Sequence, residues 1–421
     1  MTLETQATAR HVVVIGGGIV GTLCAHALRR AGSKVTLIER DLFGGGCSTG
    51  NAGSVSAGSV APLGMPGMWK QVPAWMFDPD GPLHIRPDHA LQVLPWLVRF
   101  LKASTGQRVE AISHALNALT APSVGLYREV VRQIAEPSLL EATGQLQVYR
   151  SEPARRKDAA GWALRRARGV TVQEVDAGEI HDLEPAVGPQ FTHGIYLPNE
   201  AMIVNPSRLV RRLTESFIVG GGAVKEWDVK TLDVRGDKSI RIVCDAGLVE
   251  ADCIVVAAGV WSRSLAAQLG DSLPLESQRG YHVSFPESAI EIGRTVVAAE
   301  AKCFATPMED GLRIAGTVEF ASPDAPASPR RVEALLRHSR SLFPALSSAQ
   351  YTHWMGNRPC MPDSLPVVGH ATNFPGVVYA FGHGHLGITC APMTSRVVND
   401  LILGRPAAID LKPYSPSRFS P

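Results

Sequence analysis

The apolar positions change period along the chain, and those changes mark its elements. Residues 11–15, HVVVI, form a short β-branched run, the pattern of a buried strand. Three glycines follow, Gly16-Gly17-Gly18. Apolar residues then fall at Val20, Leu23, Cys24, Ala27, Leu28 and Ala31, one face of a helix, with Gly32 as its stop. Residues 35–38, VTLI, predict a second strand ending in Glu39. Strand, helix and strand fit into about thirty residues, a βαβ unit. Beyond it the pattern alternates. A proline- and tryptophan-rich stretch covers 62–100, helical spacing appears near 106–136 and 152–168, and GQLQVYR (144–150) reads as a strand between them. Residues 205–219 predict a helix with Asn205 as N-cap and Pro206 in its first turn. CIVVA (253–257) is another buried strand, running into Ala258-Gly259, and 281–318 read as several strands. Residues 329–343 read as a helix, and the last apolar stretch, VVYAFGHGHLGITCAPMTSRVVNDLILG, as strand, glycine turn and helix. Helix–strand alternation at both ends of a sheet-rich middle predicts an α/β protein, α+β overall. Its Rossmann-like nucleotide domain is interrupted by a mixed-sheet domain.

Composition narrows the partners. The 421 residues are 45% apolar and 19% charged, ordinary for a globular chain, and the formal net charge is +2. That charge, with no zinc-finger spacing and no basic–aromatic run, argues against nucleic acid. The seven cysteines are scattered without a CxxC pair, which reads as free thiols in a reducing compartment and gives no metal site. MTLETQATAR lacks the apolar core of a secretory signal, and no apolar run reaches the ~18 residues that a membrane span needs. The expectation is a soluble cytoplasmic chain. HALQVLPWLVRFLKAS (89–104) reads as a packed helix or as one lying in a membrane interface. RRKDAAGWALRRARG (155–169) reads as a solvated helical face or as a contact for a partner or anionic lipid.

Candidate chemistry begins at Gly16-x-Gly18-x-x-Gly21. Between strand and helix, Gly16 permits the tight turn, Gly18 lets backbone approach a pyrophosphate, and Gly21 lets helix and strand pack closely. The helix N-terminus then meets the phosphates, and Glu39 is placed to accept both hydroxyls of an adenosine ribose. This context points to a dinucleotide without separating NAD from FAD. Gly382-His383-Gly384-His385-Leu386-Gly387 precedes the last helix, whose N-terminus could face the pyrimidine end of a flavin. Residues 44–58, GGGCSTGNAGSVSAG, read either as a flexible linker or as backbone shaped to lie along a cofactor.

The segments IGGGIVG, TLIERD, GNAGSVSAG, WMF (75–77), QRGYHVSFP, GNRPCMPDSLPVVG and GHGHLGITCA resemble the D-amino acid oxidase-like FAD flavoproteins. Within that family they are most similar to the bacterial D-amino acid dehydrogenase small subunits and D-hydroxyproline dehydrogenases. The resemblance implies non-covalent FAD. Gly16, Gly18 and Gly21 would take the pyrophosphate, and Glu39 with Arg40 the adenosine ribose. Val229 would touch the adenine side, and Ala258 and Gly259 would close over the dinucleotide. Ser48, Asn51, Ala52, Gly53 and Ser54 would form a cradle, with Gly53 less tolerant of a bulky residue than Gly45. Gly384, Leu386, Gly387 and Thr389 would lie near the isoalloxazine. Cys360 lies near the segment in which some relatives attach flavin covalently.

For substrate, the resemblance places a carboxylate-binding arginine at Arg358, whose rigid fork matches a carboxylate. A salt bridge to Asp363 or a helix end is the other reading. Tyr281 and His282 would flank substrate or flavin, or else simply pack, and Arg279 is a further candidate contact. His383 would assist amine deprotonation or polarise the flavin edge. The implied domains are FAD-binding over 1–60, 203–275 and 357–421, and substrate-binding over 61–202 and 276–356. The implied reaction is FAD-dependent oxidation of a D-amino acid or cyclic imino acid, D-proline or D-hydroxyproline included. Electrons would pass to a respiratory quinone or another electron-transfer partner, with peripheral contact on the inner face of the bacterial membrane. An oxygen-using secondary-amine oxidase and a non-catalytic FAD subunit are the alternatives.

Overall fold

The structure is a computed structural model that describes residues 10–44, 46–67, 83–234, 240–288, 290–346 and 350–420. WMF at 75–77 and Gly45 lie outside the described residues.

The βαβ unit forms as its spacing predicts. His11–Ile15 is central in a six-stranded sheet, paired in parallel with Lys34–Ile38 on one side and Cys253–Val256 on the other. Ala223–Lys225 extends the sheet past Lys34–Ile38, and Val377–Phe381 lies beyond Cys253–Val256. Val367–His370 closes that edge antiparallel. A central parallel strand is covered on both faces, which is why Val12, Val13 and Val14 are wholly buried and HVVVI shows no alternation. On one face the helix Ile19–Arg30 packs Cys24, Ala25 and Leu28 against Phe217 and Val398 of the helices Pro206–Val219 and Gly387–Ile402. Pro206–Val219 starts as predicted, with the Asn205 side chain accepting from Arg208 N at 2.8 Å.

Val229–Val234, Ile240–Cys244 and Gly247–Ala251 form a small antiparallel sheet. A nine-stranded mixed sheet forms the second layer, and four of its strands fall in 276–320, close to the expected 281–318. Its path runs Thr352–Cys360, Glu276–Phe285, Gly311–Phe320, Cys303–Met308, Thr295–Ala298, Gln145–Tyr149, His193–Leu197 and Gln173–Asp176. Leu83–Ile85 adds to Gly311–Phe320. All ten residues of Glu276–Phe285 are buried, because the helix Pro329–Leu342 covers one face of the sheet and the nucleotide layer the other.

The two stretches with helical spacing each hold two helices. Residues 106–136 break at Ala121-Pro122 into Gly106–Thr120 and Ser123–Gln133. Residues 152–168 break at Asp158 into Glu152–Lys157 and Ala159–Ala167. Residues 44–58 are not a linker. Ser54–Val55 is a strand paired with Ala201–Ile203, and Val55 is fully buried.

Candidate cofactor and active site

One cavity of about 1390 Å³ runs from the C-terminal end of the parallel strands to the underside of the mixed sheet. Its first wall is the glycine turn. Gly16 has φ +108°, and a Cβ there would sit 2.4 Å from the Ala257 carbonyl oxygen. A Cβ on Gly21 would lie 1.9 Å from Gly16 O, so Gly21 permits the close helix–strand contact. Gly18 caps Ile19–Arg30, which has no acidic residue in its first turn. Ser48 Oγ takes up one orphan donor, accepting from Ile19 N at 2.9 Å. The helix N-terminus therefore faces the cavity with no acid in its own first turn.

Glu39 Oε2 accepts from Gly17 N at 2.5 Å and Oε1 from Asp41 N at 3.1 Å. These bonds hold a carboxylate beside the glycine turn, as a ribose diol requires. Arg40 is exposed and lies over Trp261, 3.7 Å from the ring centroid. Val229, Ala258 and Gly259 line the same end of the cavity.

The 46–58 segment is held from both layers. Asn51 Oδ1 accepts from Gly53 N at 2.8 Å, and Gly53 O accepts from Ile203 N at 2.7 Å. Gly53 has φ +71°, and its Cβ would lie 2.5 Å from Ile203 O. Its lack of a side chain thus serves backbone packing beneath the cradle. Thr389 Oγ1 accepts from Ser56 N and donates to Ser54 O, while Ser54 and Ser56 share Gln145 Oε1. From the mixed sheet, Arg313 Nη1 donates to Thr49 O and Asn51 O, and His282 Nδ1 donates to Gly50 O at 2.9 Å. Ser48, Asn51, Ala52 and Ser54 line the cavity.

The far end centres on Arg358, on the strand Thr352–Cys360. Its Nη1 donates to Thr317 O at 3.1 Å, and no acidic side chain pairs with it among the described residues. Asp363, the partner in the alternative reading, is held instead by Arg418 at 2.8 and 3.4 Å. Burial pushes the Arg358 pKa below its ordinary value. A half-buried guanidinium without an acidic partner is stabilised by an incoming anion. Two neighbours make room for it. A Cβ on Gly280 would lie 2.2 Å from Arg358 Cζ. In the adjacent strand Thr317 and Val318 together oppose Gly280, a bulge in which Thr317, with φ +54°, turns its carbonyl to the guanidinium.

Other expected contacts sit differently. Tyr281 borders the cavity, but its hydroxyl donates to Glu319 Oε2 at 2.5 Å and accepts from Ser328 N, away from Arg358. Burial, then the Glu319 bond, push its pKa up to about 12. His282 grips Gly50, stacks on Trp354 at 5.2 Å and is held neutral by burial, its pKa near 4. Arg279 is fully buried against Glu319 and Pro326 O, on the structural side of the strand. His383 borders the cavity, but its Nε2 is bonded to Thr394 Oγ1 at 2.9 Å, and burial lowers its pKa to about 3. His385 lines the cavity near Arg358. Gly384, Leu386, Gly387 and Thr389 line the same wall. Cys360 is buried with its thiol on Gln278 Oε1 at 3.1 Å, pushed up to about 12 by burial. Gly280 and Thr317 went unnoticed in the sequence. A glycine inside an otherwise solid buried strand was the available signal for the first.

The residues fit FAD: a glycine turn and a helix N-terminus facing the cavity for pyrophosphate, a carboxylate for ribose, and a long cavity that runs along the polar 46–58 segment. The chain matches the family model described as DAO, FAD dependent oxidoreductase, over residues 11–401. It is 37% identical to a protein of Bradyrhizobium diazoefficiens named D-amino-acid oxidase, covering 97% of this chain and 99% of that one. It is 29% identical to the D-amino acid dehydrogenase of Vibrio vulnificus, covering 96% and 99%. Among solved structures, glycine oxidase from Geobacillus kaustophilus shares the fold with a TM-score of 0.75 at 22% identity, over 98% of this chain and 100% of that one. The chain belongs to the DAO family of FAD-dependent oxidoreductases.

Proposed function

We propose that the protein oxidises a D-amino acid, or a cyclic imino acid such as D-proline or D-hydroxyproline, at its Cα–N bond. The observation that carries this reading is Arg358, a half-buried cation lining the cavity with no acidic partner among the described residues, Asp363 being taken by Arg418. Its fork receives the substrate carboxylate and fixes Cα. Bound FAD supplies the two-electron acceptor for the Cα hydride. His383 braces the turn through Thr394 rather than accepting a proton, so the substrate enters as the zwitterion and its amine proton leaves to solvent within the site. His282 and Tyr281 act behind the surface, one on the cradle and one on Glu319. The parallel sheet supports assigning 1–60, 203–275 and 357–421 to FAD, and the mixed sheet supports 61–202 and 276–356 for substrate.

For the acceptor we favour a respiratory quinone or electron-transfer partner. Leu91, Leu94, Val98 and Leu101 form an exposed apolar stripe on the helix Ala90–Ala103, which supports peripheral contact with the inner membrane face. No helix among the described residues is long and apolar enough to cross a membrane. Oxygen is the second reading, favoured by the 37% identical relative that is named an oxidase.

The test is anaerobic bleaching of the holoenzyme flavin by a panel of D-amino acids, hydroxyproline isomers, D-proline and sarcosine. A D-amino or imino acid should bleach it. Arg358→Ala should lower kcat/KM by about 2–5 kcal/mol in transition-state terms. A loss under threefold would remove the anchor role, and no bleaching by any member would remove the activity. Peroxide formed in air without added quinone would select the oxygen reading.

A further inference from the structure

One branch of the cavity belongs neither to the dinucleotide cradle nor to the Arg358 pocket. The strand Gln145–Tyr149, the helix Ala159–Ala167 and the turn ending at Lys302 wall it, and Gln147, Lys157, Asp158, Arg165, Lys302 and Phe304 line it. Lys157 is exposed and Lys302 half-exposed, so the cavity reaches solvent here. The wall is built. Tyr149 Oη accepts from Gln147 Nε2 at 2.7 Å and Trp162 Nε1 at 2.9 Å, and donates to Asp158 Oδ2 at 3.1 Å. Lys302 Nζ stands 3.7 Å from the same carboxylate.

The charges are unequal: Lys157, Arg165 and Lys302 face Asp158 on the lining, with one further carboxylate, the buried Glu200, within electrostatic reach of Arg165. The arginine-rich segment around them is otherwise paired outward. Arg155 and Arg166 bind Glu174, Arg156 binds Glu152, and Arg168 binds Glu110. Arg165 alone of the five turns inward. Its guanidinium lies 4.6 Å from the Trp162 ring centroid, with no direct ion pair of its own among the described residues.

Distance decides what this branch serves. Arg358 and Gln147 lie on strands five steps apart in the mixed sheet. At about 4.8 Å per step the separation is roughly 24 Å. No small amino acid spans that, so the branch is not a side-chain pocket for a substrate held on Arg358. A solvent-reaching passage with excess positive charge instead concentrates anions.

We propose that this branch is the entry route for substrates of net negative charge, dicarboxylic D-amino acids, drawn in by Arg165, Lys157 and Lys302. The proposal rests on the amino acid oxidation argued above. A zwitterionic substrate carries no net charge and feels little of this field.

The experiment compares anaerobic flavin reduction in the holoenzyme by D-glutamate, D-aspartate and D-alanine, from about 20 to about 500 mM salt. kcat/KM for the two acidic substrates should fall about tenfold across that range, and for D-alanine less than about twofold. Arg165→Gln and Lys302→Glu should each lower kcat/KM for D-glutamate about fivefold at low salt and flatten its salt dependence, with the loss in kcat/KM rather than in the limiting rate. Flavin occupancy and melting temperature report folding. If Arg165→Gln fails to fold, Lys302→Glu, on a half-exposed turn, carries the test. Equal losses for D-alanine and D-glutamate, an unchanged salt slope, or reduction by D-alanine but by neither acidic substrate would overturn the entry route. No reduction by any D-amino acid would instead overturn the activity on which it rests.

Discussion

Arg358 shows how one side chain depends on the absence of another. Its guanidinium occupies the volume that a Cβ on Gly280 would need, so the glycine is required by the arginine's position rather than by its own backbone. Alanine at 280 would meet the far end of a flexible side chain, which can swing aside without breaking the sheet. Gly280→Ala should therefore retain fold and flavin but displace the carboxylate anchor, raising KM at least about tenfold, a change near 1.4 kcal/mol. Steady-state kinetics with the best substrate checks this. A lower melting temperature with unchanged KM would mean that Arg358 is structural. Glycine spacing and Glu39 were legible because their chemistry follows from residue type and local order, whereas Arg358 stood out only through the family resemblance. The Tyr281 hydroxyl was not legible, because its direction depends on Glu319 and Ser328, which lie on other elements.

The last helix illustrates the same point for an element. Gly387–Ile402 begins at the cavity and contains Pro392, which has no N–H to give to the Ile388 carbonyl one turn back. That carbonyl is buried, and Tyr127 Oη donates to it at 2.6 Å from the helix Ser123–Gln133. The proline defect is thereby repaired by a second helix, next to Thr389 and its bonds to the cradle. Tyr127→Phe keeps the ring and removes the donor, leaving a buried carbonyl unpaired at a cost of about 1–3 kcal/mol. Denaturant unfolding of the holoenzyme measures it, and a change below about 0.5 kcal/mol would show that water replaces the hydroxyl. The helix itself was readable from its apolar period, and Pro122 was a visible break in 106–136. The break at Asp158 was not readable. The amphipathic pattern continues through it, and Asp158 serves as the end cap of one helix and the start of the next.

At the scale of the molecule, the two sheets meet on the 46–58 segment. Ile19 N, through Ser48, and Thr389, through Ser56, hold it from the nucleotide layer, while His282 and Arg313 bind it from the mixed sheet. Thr389, His282 and Arg313 lie hundreds of residues away in the chain, which is why glycine and serine content alone could not separate a held segment from a linker. On the proposed site, FAD lying along this segment stabilises the clasp as a whole, and folding and FAD binding are then thermodynamically linked. Excess FAD should raise the melting temperature of stripped protein in a concentration-dependent way, by about 2.7 kcal/mol of added stability at a hundred times Kd. Arg313 lies outside the cavity lining yet donates to both Thr49 and Asn51 carbonyls. Arg313→Ala should therefore weaken FAD affinity without removing a direct contact, and its melting curve should need more FAD to reach the same shift. Titrating FAD against thermal unfolding of both proteins separates the contributions. An Arg313→Ala protein that melts lower without FAD but binds FAD with wild-type affinity would make the clasp a purely structural joint. A wild-type melting temperature indifferent to FAD would remove the linkage itself.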